Sequence, residues 1–575
     1  MWRRILLPTV YTLLAAAAIS AAPAEGAFWR LGNPTQDPAS SRPPAQDRNP
    51  AAALISGMTD EEIVAQVFMV GWPSREPTPE LLEWIRRRNI GGIKVFGWNA
   101  EDLRLLAETI GTMQQEALAT PHAIPLLTAT DQEGGWVRHV KGATAVTPGN
   151  MAIGASGLPY DAYRSGYYIG RELRALGINM NFAPTIDVYR NPEAHVIGPR
   201  AFGSDPVEAG VLGGAYMRGL DDAGVIATAK HFPGHGNAVG DSHGVLPVLT
   251  EGEDELWEYD LVPYRMLIRE DVPAVLSGHL SFPGITGSNV PASISARFKQ
   301  DILRDRLGFE GIVITDDLYM GGATQYAADA GLSFAELCVE ALAAGSDMIL
   351  LSQTPDPDGE IWNAVLAEYR ENATFRTRLR RSVERILTVK MRYLGPEDRV
   401  PLIPDPALVD ERIPDPEGSA FFRNQAYRSA TVVRNRSLPL ELDRGAGVLL
   451  VGKDADFLSI GRSLYPAADV MRIRGGSFYD APQTAEDRFV RLGARYDHVI
   501  FCLSDPATLS VLRGSEAFAD RVSVVSILTP VYLQETPWVE NAVAVYGWGR
   551  TSIEAAYEVL RGTVEAEGRL PIDME

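Results

Sequence analysis

Short apolar runs alternate with amphipathic stretches through the first two thirds of the chain. Residues 65–70, 92–96, 124–130, 178–186, 225–230, 272–280, 311–316 and 347–351 are apolar runs of the kind that make buried strands. Between most of them, stretches such as 79–88, 103–119, 161–176 and 206–223 place apolar residues at helical spacing. Repeated strand-then-helix units predict an α/β fold, a parallel sheet with its helices outside. Eight such strands predict a closed (β/α)8 TIM-like barrel. An open doubly wound sheet shows the same alternation and remains the alternative. A Pro- and Asp-rich stretch at 395–418 then breaks the pattern. Beyond it, strand-like runs at 447–452, 498–503, 522–528 and 542–546, with a helical stretch at 552–561, predict a smaller three-layer α/β sandwich domain.

The N-terminus has a different pattern. Met1 to Arg4 is basic, 5–22 is apolar, and Ala22-Pro23-Ala24 has the small residues a signal peptidase reads. An anchor that is never cut is the alternative. The expected organisation is a signal peptide at 1–24, a Pro-rich linker at 25–51, a barrel at 52–395, a linker at 396–418 and a C-terminal domain at 419–575. The expected location is therefore periplasmic or secreted. No later run is long and apolar enough to span a bilayer, so no stable membrane insertion is expected after cleavage. Both cysteines, Cys338 and Cys502, fall in core-like positions of different domains, which predicts two buried free thiols. Hydrophobic residues make up 46% of the chain, enough for two large cores. A formal net charge of −21 argues against nucleic acid and against adhesion to anionic lipid.

The polar chemistry sits just after the apolar runs. In a barrel those strand ends converge on one face, where active sites lie. The fifth run leads into Lys230-His231-Phe232-Pro233-Gly234-His235-Gly236 and on to Asp241-Ser242-His243. This glycine-punctuated loop gathers a cation, three imidazoles and a carboxylate. Histidine titrates nearest neutrality, and an Asp two residues before it can hold the ring and fix its tautomer. A zinc site built from His231, His235, His243 and Asp241 is the competing reading, but these ligands lie along a loop rather than on one helix face. Ser242 lacks the strand–elbow–helix setting of a serine nucleophile.

The seventh run ends in Thr315-Asp316-Asp317. Adjacent carboxylates at a buried strand end are costly unless paired or used. Strand neighbours point to opposite sides, so one Asp is expected in the pocket as a nucleophile. The other is expected to cap or support. Asp131, Arg200, Lys230 and His231 can together clasp a polyhydroxylated ligand, a buried ion pair being the competing reading for the last two. His279 is either a pocket residue or a hydrogen-bonded structural histidine.

These residues resemble the β-N-acetylglucosaminidase branch of glycoside hydrolase family 3. The likeness rests on Lys230 to Gly236 followed by Asp241-Ser242-His243. Asp131-Gln132-Glu133-Gly134-Gly135, Arg200-Ala201-Phe202-Gly203 and Asp316-Asp317-Leu318-Tyr319-Met320 match in the same order. Residues 546–552 and 567–571 resemble the second domain of two-domain members. The resemblance implies a retaining exo-β-N-acetylglucosaminidase with Asp316 as nucleophile and His243 as acid/base oriented by Asp241. It also implies that Asp131, Arg200, Lys230 and His231 hold sugar hydroxyls, and that the partner is an amino-sugar oligosaccharide such as a peptidoglycan or chitin fragment. No cofactor or metal is expected. The pattern departs at His139, where many members carry Arg and which is counted among the substrate-binding candidates. Trp136 also replaces a common Arg, as either a sugar platform or a packing residue. Competing functions are a phosphorylase, because an imidazole base does not repel phosphate, a β-glucosidase of the same family, and a non-catalytic sugar-binding protein.

Overall fold

The computed structural model describes residues 50–396, 399–443 and 445–574. The signal peptide read at 1–24 and nearly all of the linker read at 25–51 lie outside the described residues. The last positions of that linker already belong to the helix Pro50–Gly57.

All eight apolar runs form strands of one closed parallel barrel. They are β1 (Phe68–Val70), β2 (Gly92–Val95), β3 (Leu127–Thr130), β6 (Met180–Asn181), β7 (Ile226–Phe232), β8 (Ala274–Ser277), β9 (Ile312–Asp317) and β10 (Met348–Leu351). A two-stranded ribbon, β4 (Gln132–Gly134) with β5 (Val137–Arg138), rises from the end of β3. The open-sheet alternative is excluded because β1 pairs with both β2 and β10. Nearly every barrel-strand residue is buried, as expected where helices cover the outside and side chains fill the inside. The helices Leu103–Leu118, Pro159–Ala175 and Pro206–Asp222 occupy their expected positions. Asp102 and Asp205 cap the first and third of these by accepting two backbone N–H bonds each.

The second sheet has the order β11-β16-β15-β14-β12-β13. Its strands are β11 (Thr431–Arg434), β12 (Val448–Gly452), β13 (Asp469–Arg472), β14 (His498–Leu503), β15 (Val522–Ile527) and β16 (Asn541–Val545). All pair in parallel except β11, which runs antiparallel to β16. Alternation along β14 shows how the sheet is used. Val499, Phe501 and Leu503 enter one core with barrel-loop residues Tyr189, Ala194 and Ile197. Ile500 and Cys502 enter another with the helix Arg550–Leu560. One face of the second domain thus packs on segments that rise from the mouth of the barrel. Both Cys338 and Cys502 are buried free thiols.

The segment between the domains is partly ordered into helix. Asp405-Pro406 and Asp415-Pro416 each supply an N-cap followed by Pro at the first helical position. The second pair begins the helix Pro416–Ser429, which is tied to the barrel by Gln425 on Ser165 and Arg428 on Asp161. No helix among the described residues is long and apolar enough to cross a membrane.

Candidate active site

A cavity of about 310 Å³ opens at the C-terminal end of the barrel. That is near the lower bound of the ~300–1,000 Å³ range for ligand pockets. Lys94, Asp131, His139, Arg200, Lys230, His231, His243, Asp316 and Asp317 supply its polar wall. Residues far apart in the chain meet here because each stands at the end of a barrel strand or on a loop that follows one. The apolar side is Phe96, Phe182, Leu276, Met320 and Leu350.

The floor is a buried charge network. Asp131 meets Lys230 at 2.5 Å and Lys94 at 2.7 Å through its two oxygens. Lys230 also reaches Glu133 at 2.5 Å, and Glu133 holds Arg200 in a two-point contact at 2.9 and 3.0 Å. Burial raises the cost of both carboxylates, but the adjacent cations more than offset it. Asp131 lies well below the ordinary carboxylate value, and Glu133 falls to about 2. The ion-pair reading of Lys230 holds, and the paired residue also lines the cavity.

His231 is held from both sides. The Arg200 guanidinium approaches Nε2 at 3.1 Å, and Asp187 takes Nδ1 at 2.7 Å. A guanidinium can only donate, so Nε2 accepts and the ring proton sits on Nδ1. Asp187 also accepts the backbone N–H of His235 and, despite burial, is drawn down to about 2. His139 lies 3.2 Å from Lys94 and 3.8 Å from Asp131. Burial, with Lys94 beside it, pushes the His139 imidazole down to about 4, so this position contributes a neutral ring.

The two adjacent carboxylates have separate tasks. Asp317 Oδ1 accepts the backbone N–H of Tyr319 and Ser352, which fixes the turn after β9. Both Asp side chains line the cavity, but only Asp316 is free of such a turn. Among the described residues its hydrogen bond is from the Asp317 amide. Burial pushes Asp316 up, yet the imidazoles of His279, His231 and His243 together with that amide leave it below the ordinary value. His279 takes its structural alternative: fully buried, it is bonded to Ser293 and to the Asp317 carbonyl.

His243 reaches the same cavity on the long loop after β7. Asp241 Oδ1 accepts from its backbone N–H at 3.0 Å and bonds ring Nδ1 at 2.6 Å. That bond lifts the imidazole above its ordinary value against the opposing pull of burial. The side chain is 67% exposed, which leaves Nε2 accessible for proton exchange. The loop tip is fastened to the backbone beyond β9: Gly321 N donates to the His243 carbonyl and Gly322 N to that of Ser242. A Cβ at position 321 would lie 2.5 Å from the Gly244 carbonyl, so only glycine permits this approach.

The zinc alternative has no geometric support. Among the described residues no group of three or more His, Cys, Asp and Glu is arranged to hold a metal ion. His231 spends Nδ1 on Asp187, His243 spends Nδ1 on Asp241, and His235 lies against Ser242. Trp136 faces the second domain, 6.1 Å from Phe478 and 6.4 Å from Trp548.

Three residues of this site escaped the sequence reading as individuals: Lys94, Glu133 and Asp187. Lys94 is a lone cation inside a buried strand, a signal in itself. Asp187 follows the fourth apolar run, where the strand-end rule applied to the other runs points to it.

Residues 58–389 match the model of the glycosyl hydrolase family 3 N-terminal domain. The chain is 29% identical to a β-N-acetylglucosaminidase/β-glucosidase of Cellulomonas fimi over 564 residues, covering 90% of this chain and 94% of that protein. It is 35% identical to β-hexosaminidase A of Pseudoalteromonas piscicida over 290 residues, 48% of this chain and only 47% of that protein. Among solved structures it is similar to a family 3 β-N-acetylglucosaminidase from Paenibacillus sp. str. FPU-7. That likeness has a TM-score of 0.79 and 29% identity, over 90% of this chain and 99% of that one.

Proposed function

This chain belongs to glycosyl hydrolase family 3, and from that premise we propose that it is an exported, retaining exo-β-N-acetylglucosaminidase. One observation carries the proposal: Asp316 and His243, the latter bonded to Asp241, line one sugar-sized cavity. The relatives named for β-hexosaminidase or β-N-acetylglucosaminidase activity support an amino-sugar substrate; peptidoglycan or chitin fragments are the sources proposed for it.

In the first step an Asp316 oxygen bonds to the anomeric carbon and the glycosidic C–O bond breaks. The imidazolium Nε2–H of His243 gives its proton to the departing oxygen. Asp241, bonded at Nδ1, stabilises the charged ring before that transfer. In the second step the now neutral Nε2 takes a proton from water. The water oxygen attacks the anomeric carbon, the Asp316 ester bond breaks, and the β configuration is retained. Asp131, Lys230, Arg200 and His231 are assigned to the sugar hydroxyls. The Asp131–Lys230 and Glu133–Arg200 ion pairs and the Arg200–His231 hydrogen bond fix them in place before the ligand arrives. His139, a neutral ring where relatives of this pattern carry a cation, is assigned to the same wall.

The test compares nitrophenyl N-acetyl-β-glucosaminide with nitrophenyl β-glucoside. Turnover of the first well above the second is expected, and a preference for the glucoside would replace this reading with the β-glucosidase one. Phosphorolysis is the second reading, favoured by the exposed imidazole, which is neutral when the acceptor arrives and does not repel an anion. Sugar 1-phosphate formed in added phosphate would decide for it. No turnover of either substrate would leave the binding-protein reading.

A pH profile tests Asp241. His243 must be protonated to act as an acid, so kcat/KM falls as pH rises through its pKa. Its pKa is raised chiefly by the bond to Asp241. Asp241→Asn removes the anionic partner and returns that pKa downward, so the alkaline limb moves to lower pH. An alkaline limb that stays in place would remove Asp241 from this role.

A further inference from the structure

On the face of the barrel opposite the catalytic cavity lies a second concavity, of about 460 Å³. It opens below the N-terminal ends of β9 and β10, between the helix Ala373–Leu394 and the π-helical stretch Arg297–Arg306. Arg304, Arg378, Arg381 and Arg385 line it, with Gln300, Thr374 and Thr377 as neutral hydrogen-bonding neighbours.

The charge here is unbalanced. Asp347 is the carboxylate at its base, and its oxygens are already taken by Arg304 at 2.5 Å, Arg385 at 3.1 Å, Ser382 at 2.7 Å and the Val313 amide at 2.8 Å. Among the described residues neither the Arg378 nor the Arg381 guanidinium has an ion pair or hydrogen bond, although the chain holds 74 acidic side chains against 53 basic ones. Lys299 lies buried beside Arg378, its ammonium on the Ser293 and Ala341 carbonyls and Ser346. Burial drives Lys299 well below the ordinary ammonium value; Asp347 resists, and Arg378 adds to the push. Burial also lowers Arg304, with Asp347 and more weakly Glu310 opposing and Arg385 assisting. A structural cluster would place acids against these cations. A concave cluster that leaves two guanidinium forks unmatched in an acidic protein suits a ligand carrying the missing charge.

We propose that this pocket is a binding site for a small multivalent oxyanion, a phosphate ester or a polycarboxylate, held by Arg378 and Arg381 and backed by Arg304 and Arg385.

The test is calorimetric titration of the whole protein with inorganic pyrophosphate and, separately, with citrate, against sodium chloride of equal ionic strength. Saturable binding of at least one is expected, and which of them binds tells the phosphate class from the carboxylate class. In an Arg378→Gln, Arg381→Gln double variant the affinity is expected to fall about 100-fold, about tenfold for each guanidinium lost. Without anion that variant is expected to hydrolyse the nitrophenyl substrate at the wild-type rate and to melt at or above the wild-type temperature in low salt, because repulsion has been relieved. Neither anion binding beyond the chloride control would overturn the proposal. So would binding that survives in the variant, or a lower melting temperature, which would mark the two arginines as structural.

Discussion

Asp316→Asn is expected to keep its fold and its sugar affinity while kcat falls by about 10⁴-fold or more, the order seen when an essential nucleophile is removed. Asn has the volume of Asp but no anionic oxygen to bond the anomeric carbon. The Asp316 carboxylate is bonded to one backbone amide, which an Asn carbonyl oxygen can still accept, so little else should change. Asp317→Ala forms the control. Asp317 Oδ1 accepts from the Tyr319 and Ser352 amides, and alanine leaves both without that acceptor, so this substitution should cost stability and loop order as well as rate. The measurements are kcat on the nitrophenyl substrate, a melting curve, and mass spectrometry after quenching a slow 2-fluoro substrate. A glycosyl adduct on the peptide carrying Asp316 in the wild type and none in the variant is the expected pattern. Near-normal turnover by Asp316→Asn would end the covalent mechanism.

His243→Ala comes second, with an expected loss of about 10²–10⁴-fold on oligosaccharides, the range for a positioned acid or base. The loss should be smaller in the first half-reaction on nitrophenyl glycosides, since nitrophenolate leaves without much help from a proton. The second half-reaction still lacks its base, so the glycosyl-enzyme should accumulate. Added azide, which needs no deprotonation, should restore turnover and yield a β-glycosyl azide. Because the His243 side chain is 67% exposed and packs little, the substitution should hardly move the melting temperature. Equal losses on both substrate types, with no azide effect, would assign His243 to loop structure rather than proton transfer.

The barrel could be read from the sequence because both of its signals are local. Each strand is a short apolar run, and each is followed by a helix of regular period. Four strands escaped reading: β4 and β5 of the short ribbon after β3, and two in the second domain, at the edges of its sheet. In β13 only Met471 is buried, so the run is too polar to stand out, and β11 has one buried position followed by three half-buried ones. At the site, Asp316, His243 and Asp241 could be read because their spacing is distinctive and each follows a strand run. Asp187 and Lys94 carry local signals, a strand-end position and a lone cation in an apolar run, but what they do lies in partners far along the chain, His231 and Asp131. The neutral state of His139 was equally hidden: it depends on the burial of that ring beside Lys94, which no linear pattern encodes. Asp316 and Asp317 show both sides of this. Alternation along a strand predicts that only one of the two faces the pocket; both line it, and the amides of Tyr319 and Ser352 show which one is tethered.

The bare backbone at Gly321 and Gly322 works as a spacer gauge between the two halves of the proposed catalytic apparatus. Through it the segment that bears His243 rests directly on the segment that follows Asp316, with no side chain between them. A single methyl group at 321 would be the smallest wedge able to pry them apart. A chain so altered would keep its barrel and its sugar clasp but idle, which makes this junction the natural place to convert the protein into a lectin-like probe.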